Sequence, residues 1–113
     1  MTEPAYRYRA EVIDIIDADT LRLRIDLGFR TFTTIEGRLR GVDAPERNTT
    51  DGVAAKEFVR GTLAAGWKPG GSLVVESFKD KRSFARWIVD VYVDGENLGE
   101  LLLAAGHAVR APS

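Results

Sequence analysis

Thr20-Leu21-Arg22-Leu23-Arg24-Ile25-Asp26-Leu27 is the stretch whose pattern decides the fold. Leu21, Leu23, Ile25 and Leu27 alternate with Arg22, Arg24 and Asp26, which is the period of a strand with one buried and one wet face. Upstream, residues 6–16 are rich in aromatic and β-branched side chains and read as the preceding strand, joined to it by a tight turn at Asp17-Ala18-Asp19. Downstream, Gly28 opens a connection into a third strand over 31–42, with weaker alternation. Asp43-Ala44-Pro45-Glu46-Arg47-Asn48 is then a loop, because proline cannot donate to a sheet ladder.

Asp51 is the expected N-cap of a helix over 52–64, where Ala55, Phe58, Val59 and Leu63 line one apolar stripe. Pro69-Gly70-Gly71 turns the chain into two more strands, 72–78 and 85–93, separated by a charged loop over 79–84. After Asp94-Gly95, a second helix over 97–105 turns Leu98, Leu101, Leu102 and Ala105 inward, and Gly106 stands where a left-handed capping residue belongs. The order is three strands, helix, two strands, helix. This predicts an α+β, mainly β fold: a five-stranded, partly open Greek-key barrel of the OB type with two helices.

Composition bounds the chemistry. At 113 residues and 44% apolar content, the chain is read as one domain with a real core. It has no cysteine, which excludes disulfides, thiolate metal sites and cysteine nucleophiles. A bound metal must therefore use oxygen or the single His107, which favours hard cations. Residues 1–4 have neither the basic start nor the apolar run of a signal peptide, so the expected location is the cytoplasm. With 16 basic and 17 acidic residues the net charge is −1, so nucleic-acid binding needs a local basic patch or a metal.

Three segments put charge in loops or at strand ends. In Asp17-Ala18-Asp19-Thr20, two aspartates in a turn are by themselves turn chemistry. In Arg38-Leu39-Arg40-Gly41-Val42-Asp43-Ala44-Pro45-Glu46, alternation sends Arg38 and Arg40 to one face, and two carboxylates flank a proline-stiffened corner. Between 79 and 86, Lys79, Lys81, Arg82 and Arg86 face one acid, Asp80, and read in isolation as a solvated hairpin tip. Taken together they form a constellation. Asp19 and Asp43 could hold calcium, Glu46 could orient or deprotonate a water, and Arg38 and Arg86 could clamp a phosphate. Arginine suits the clamp because its planar fork stays protonated and pairs with phosphate oxygens.

At this point the chain resembles the staphylococcal-type thermonuclease family over residues 9–110. The matching motifs are IDIIDADT (13–20), RLRGVDAPE (38–46), Ala85-Arg86-Trp87 ahead of a strand, and Val93-Asp94-Gly95 before Leu98. The resemblance implies an OB-type barrel and calcium-dependent cleavage of DNA and RNA that leaves 3′-phosphates. It assigns Asp19 and Asp43 as metal carboxylates, the Ala44 carbonyl as a backbone ligand, Glu46 as the residue acting on water, and Arg38 and Arg86 as the catalytic arginines. It places the substrate loop at Lys79, Lys81, Arg82, Ser83 and Phe84. A rival of another class is an OB-fold module that binds single-stranded nucleic acid without cutting it, and a third is a protein-interaction domain.

The pattern is also departed from. Phe84 replaces a substrate-binding tyrosine, Ser83 stands where a lysine is usual, and Ala85 replaces a glycine whose φ > 0 would strain it. The family's usual C-terminal helix is not in the sequence, so uncovered apolar surface and a homo-oligomer are expected. His107, Tyr92 and Phe58 read as packing residues. At least one of Trp67 and Trp87 is expected in the core, and Tyr6 and Tyr8 are expected at the surface.

Overall fold

The computed structural model of the protein describes residues 6–66, 73–78 and 87–111. Five strands make a closed mixed barrel: β1 (Arg7–Asp17), β2 (Thr20–Asp26), β3 (Phe32–Leu39), β5 (Leu73–Phe78) and β6 (Trp87–Val93). Neighbours pair antiparallel in the order β3-β2-β1-β5-β6, and a parallel β3–β6 contact closes the ring through Gly37↔Trp87, Arg38↔Ile88 and Leu39↔Val89. The fold is the α+β, OB-type barrel with two helices that the strand order predicts, and the ring is shut where a partly open one was expected. Closure leaves no edge along β3 beside β6. It is tight at a glycine, since a Cβ on Gly37 would lie 2.9 Å from Val89 Cγ2 and 3.1 Å from Leu23 Cδ1.

The alternation of β2 is realised, with Leu21, Leu23 and Ile25 buried and Arg22 and Arg24 exposed. Leu27 lies past the strand end and is 42% exposed, so the pattern outruns the strand by one residue. The expected third strand breaks in two. β3 ends at Leu39, the chain turns through Gly41 at φ +75°, and Val42–Asp43 forms a short β4 against β8 (Val109–Arg110). A third short strand, β7 (Glu96–Asn97), folds back on β6.

Helix α1 covers Thr50–Gly66 and buries Ala55 and Val59, with Phe58 and Leu63 partly buried on the same stripe. Its N-cap is Thr49, whose Oγ1 accepts the Gly52 amide at 3.0 Å, and Asp51 lies inside the first turn. Helix α2 (Leu98–Ala104) is capped by Asn97, whose side chain accepts the Glu100 amide at 3.1 Å. It buries Leu98 and Leu102, while Leu101 is partly buried and Ala105 exposed. Gly106 has φ +77°, the left-handed capping geometry expected of it. The core joins both helices to the barrel interior. Trp87 is half-exposed, and Trp67 lies outside the described residues. Among the described residues, no helix is long and apolar enough to cross a membrane.

Candidate active site

Asp19 sits in the turn between β1 and β2, beside the fully packed Ala18. Its backbone carbonyl accepts the Leu39 amide at 2.8 Å, which extends the β2–β3 ladder past the strand and fixes the turn against β3. The register then does the assembling. Thr20 is paired with Arg38, so the arginine lies next to the aspartate although 19 residues separate them.

The Asp19 side chain is 7% exposed and accepts three hydrogen bonds. Oδ1 takes Thr20 Oγ1 at 3.2 Å, and Oδ2 takes Arg38 Nη1 at 2.9 Å and the Ala44 amide at 3.0 Å. A carboxylate this buried needs such donors, because burying a charge without partners is costly. The other arm of Arg38, Nη2, donates to the Val42 carbonyl at 3.3 Å and to the exposed Asp43 carboxylate. One guanidinium therefore bridges the two aspartates. Burial by itself pulls the Arg38 pKa down, but attraction to Asp19 and hydrogen bonds to both carboxylates outweigh it, and the net shift is upward.

β4 holds Asp43 in place, since Asp43 pairs with Val109 and the Ala111 amide donates to the Gly41 carbonyl at 3.0 Å. Glu46 is exposed on the loop from β4 to α1. Its carbonyl accepts from the Thr49 amide at 3.1 Å and from Thr49 Oγ1 at 2.7 Å. Asp17 Oδ1 accepts the Arg47 amide at 3.1 Å, which ties this loop to the end of β1. Asp17, expected only as turn chemistry, is a support for this loop, and so are Thr49 and Gly52, which the charge pattern does not point to. The signal for Thr49 was present but ambiguous, because Thr49, Thr50 and Asp51 are all competent caps.

Arg40 does not share the Arg38 site. Beyond the end of β3 its side chain reaches the buried Asp90 on β6 at 3.1 Å and lies over the Phe78 ring at 4.1 Å. Arg86 and the substrate-loop residues Lys79, Lys81, Arg82, Ser83 and Phe84 lie outside the described residues, as does Ala85. Trp87, the residue after Arg86, is paired with Gly37, one residue from Arg38. His107 packs its ring against Phe58, with centroids 4.9 Å apart.

The donor set suits a hard cation in type but is sparse. Asp19 and Asp43 converge on one positive group, and the Ala44 carbonyl belongs to a residue already bound to Asp19. Among the described residues no group of three or more Asp, Glu or His side chains gathers. Calcium takes six to eight oxygens, so an ion here would complete its shell with carbonyl, water and substrate oxygens. Set beside known proteins, the chain matches no family model, and no curated protein matches it.

Proposed function

We propose that the protein is a calcium-dependent nuclease of the thermonuclease type, hydrolysing phosphodiester bonds of DNA, RNA or both. The observation that carries this reading is the bridge of Arg38 between Asp19 and Asp43, which brings the β1–β2 turn, β3 and β4 onto one spot. A phosphodiester needs this mixture of charges: a guanidinium for its anionic oxygens, and carboxylates for a cation and a water. Asp19, Asp43 and the Ala44 carbonyl would hold the calcium ion, which when bound would offset the negative charge that develops on the phosphoryl group.

The chain's own residues carry the remaining roles. Glu46 takes a proton from water as the water oxygen bonds to phosphorus, the bond to the 5′ oxygen breaks, and that oxygen takes a proton from solvent, leaving a 3′-phosphate and a 5′-hydroxyl. Arg38 exchanges its carboxylate partners for phosphate oxygens, a move its half-buried position allows. Arg86 supplies the second clamp. Asp17 and Thr49 hold the loop that carries Glu46.

A second reading has one observation in its favour. The Asp19 oxygens are already satisfied by protein donors, and Arg38 itself stands between the two carboxylates. A barrel stable in this state could bind single-stranded nucleic acid without cutting it. The test is cleavage of labelled single-stranded DNA in millimolar calcium, beside EDTA and Glu46→Gln controls. Cutting that vanishes in both controls supports the nuclease; tight binding in EDTA with no cutting in calcium supports the binding module.

A further inference from the structure

The hairpin between β2 and β3 is more strained than its length requires. The Leu27 amide donates to the Thr31 carbonyl at 2.8 Å and the Thr31 amide to the Gly28 carbonyl at 2.9 Å. Phe29 and Arg30 are thus the central residues of a tight turn, at φ 55° and 58°. Gly28 before them is left-handed too, at φ 82°, but has no Cβ; Phe29 and Arg30 hold the same kind of backbone with full side chains, which is strained. Such strain concentrates where the displayed side chain has a use. The Phe29 side chain has no packing role to account for it, being fully exposed at 101%.

The tip continues into a track. Behind it, the Arg24 guanidinium lies 3.9 Å over the ring of Phe32, itself half-exposed. On the outer face of β2 and β3, the pairs Asp26↔Phe32, Arg24↔Thr34 and Arg22↔Glu36 lead along the strands to Arg38. Six residues from Phe32 to Arg38 span about 20 Å, room for several nucleotides. Of the acids along the track, Asp26 Oδ1 accepts the Gly28 amide at 2.8 Å, and Glu11 and Asp14 stand 3.8 and 3.7 Å from Arg24 and Arg22, while Glu36, opposite Arg22, is half-buried. Exposed pairs of that length contribute little and open readily to a competing phosphate.

We propose that this hairpin tip is a base-stacking element for single-stranded nucleic acid. Phe29 stacks on a base, and Arg30 and Arg24 meet phosphates of the same strand, several nucleotides from Arg38. Aromatic rings interleaved with arginines are the chemistry that binds single strands without reading their sequence. The inference rests on the reading that the Arg38 end handles a phosphodiester strand.

The test is fluorescence anisotropy of a labelled oligothymidine in EDTA, comparing the full chain with Phe29→Asn and Phe29→Tyr. Asparagine tolerates φ > 0, so Phe29→Asn is expected to hold or raise Tm while weakening oligonucleotide binding about tenfold. Phe29→Tyr keeps a ring and is expected to keep the affinity. Unchanged affinity in folded Phe29→Asn overturns the proposal, as does a fall in its Tm, which would make the ring a packing group. Absence of oligonucleotide binding by the unaltered chain, with Phe29-dependent binding to phosphatidylglycerol vesicles, overturns it in favour of a membrane surface. A chain that never cuts but loses affinity on Phe29→Asn leaves this inference standing and removes the nuclease. A chain that cuts, and binds equally with and without Phe29, does the reverse.

Discussion

Gly52 packs so closely on Glu46 that a Cβ built on it would lie 1.7 Å from the Glu46 carbonyl oxygen. The first turn of α1 is therefore laid directly on the backbone of the residue proposed to act on water. Thr49 Oγ1 completes the clamp, donating to that carbonyl and accepting the Gly52 amide. A side chain at 52 must push the helix and the Glu46 loop apart. Gly52→Ala is expected to lose about 1–3 kcal/mol of stability and to lower turnover. Gly61 is the control: a Cβ there meets nothing within 4 Å, so Gly61→Ala should gain about 0.5–1 kcal/mol from helix propensity with turnover unchanged. Urea melts and cleavage rates on the two variants check both halves. Equal behaviour would sink the idea that Gly52 supports Glu46.

Arg38 carries both structure and proposed chemistry, so its removal should show in two readouts. Arg38→Met leaves the buried Asp19 with its Thr20 and Ala44 donors but no counter-charge, an expected loss of about 1–3 kcal/mol. The pH dependence follows from the sign of the shift. The folded pKa of Arg38 is raised above its already high ordinary value, so its contribution is complete below the ordinary value and is lost only as pH climbs through the raised pKa. The stability difference between the unaltered chain and Arg38→Met should therefore be flat from about pH 7 to pH 10. Because Arg38 stands between Asp19 and Asp43, the same variant should bind calcium severalfold more tightly in calorimetry while losing turnover. Weaker calcium binding in Arg38→Met would refute the competition.

Much of the barrel is legible in the residues because half-buried strands and amphipathic helices write their periods into the chain, as residues 20–27 and the stripe from Ala55 to Leu63 do. Two-residue strands such as Val42–Asp43 are too short to carry a period, and three cap-competent residues in a row hide which one caps α1. Of the candidate site, spacing supplies residue types but not their meeting. Asp19 reaches Arg38 through a strand register, and Asp43 is held by β8, some 66 residues on. Arg40 illustrates the limit. Alternation groups it with Arg38, but β3 ends between them and its partner Asp90 is 50 residues away.

Closure of the barrel depends on one missing methyl group. Gly37→Ala would drive a Cβ to within 2.9 Å of Val89 Cγ2, a branched side chain with little freedom to retreat. The expected loss is about 1–3 kcal/mol. Trimming the neighbour should restore part of it, so Gly37→Ala with Val89→Ala should be more stable than the sum of the single changes predicts. A denaturant double-mutant cycle measures the coupling, and strict additivity would mean that the β3–β6 contact does not close the ring as described.

The Arg40–Asp90 pair separates a structural arginine from a functional one. Asp90 is 6% exposed at its side chain and is met by a half-exposed Arg40, whose guanidinium also covers Phe78. Arg40→Met strips a buried carboxylate of its partner and is expected to cost about 1–3 kcal/mol. Replacing both partners, Arg40→Met with Asp90→Leu, removes the buried charge as well and should recover most of that loss, because an apolar pair need not repay desolvation. Turnover corrected for folded fraction should be near that of the unaltered chain in both variants, whereas Arg38→Met abolishes it. If Arg40→Met instead loses turnover while the double variant is stable and inactive, then Arg40 belongs to the phosphate site, and the division between the two arginines fails.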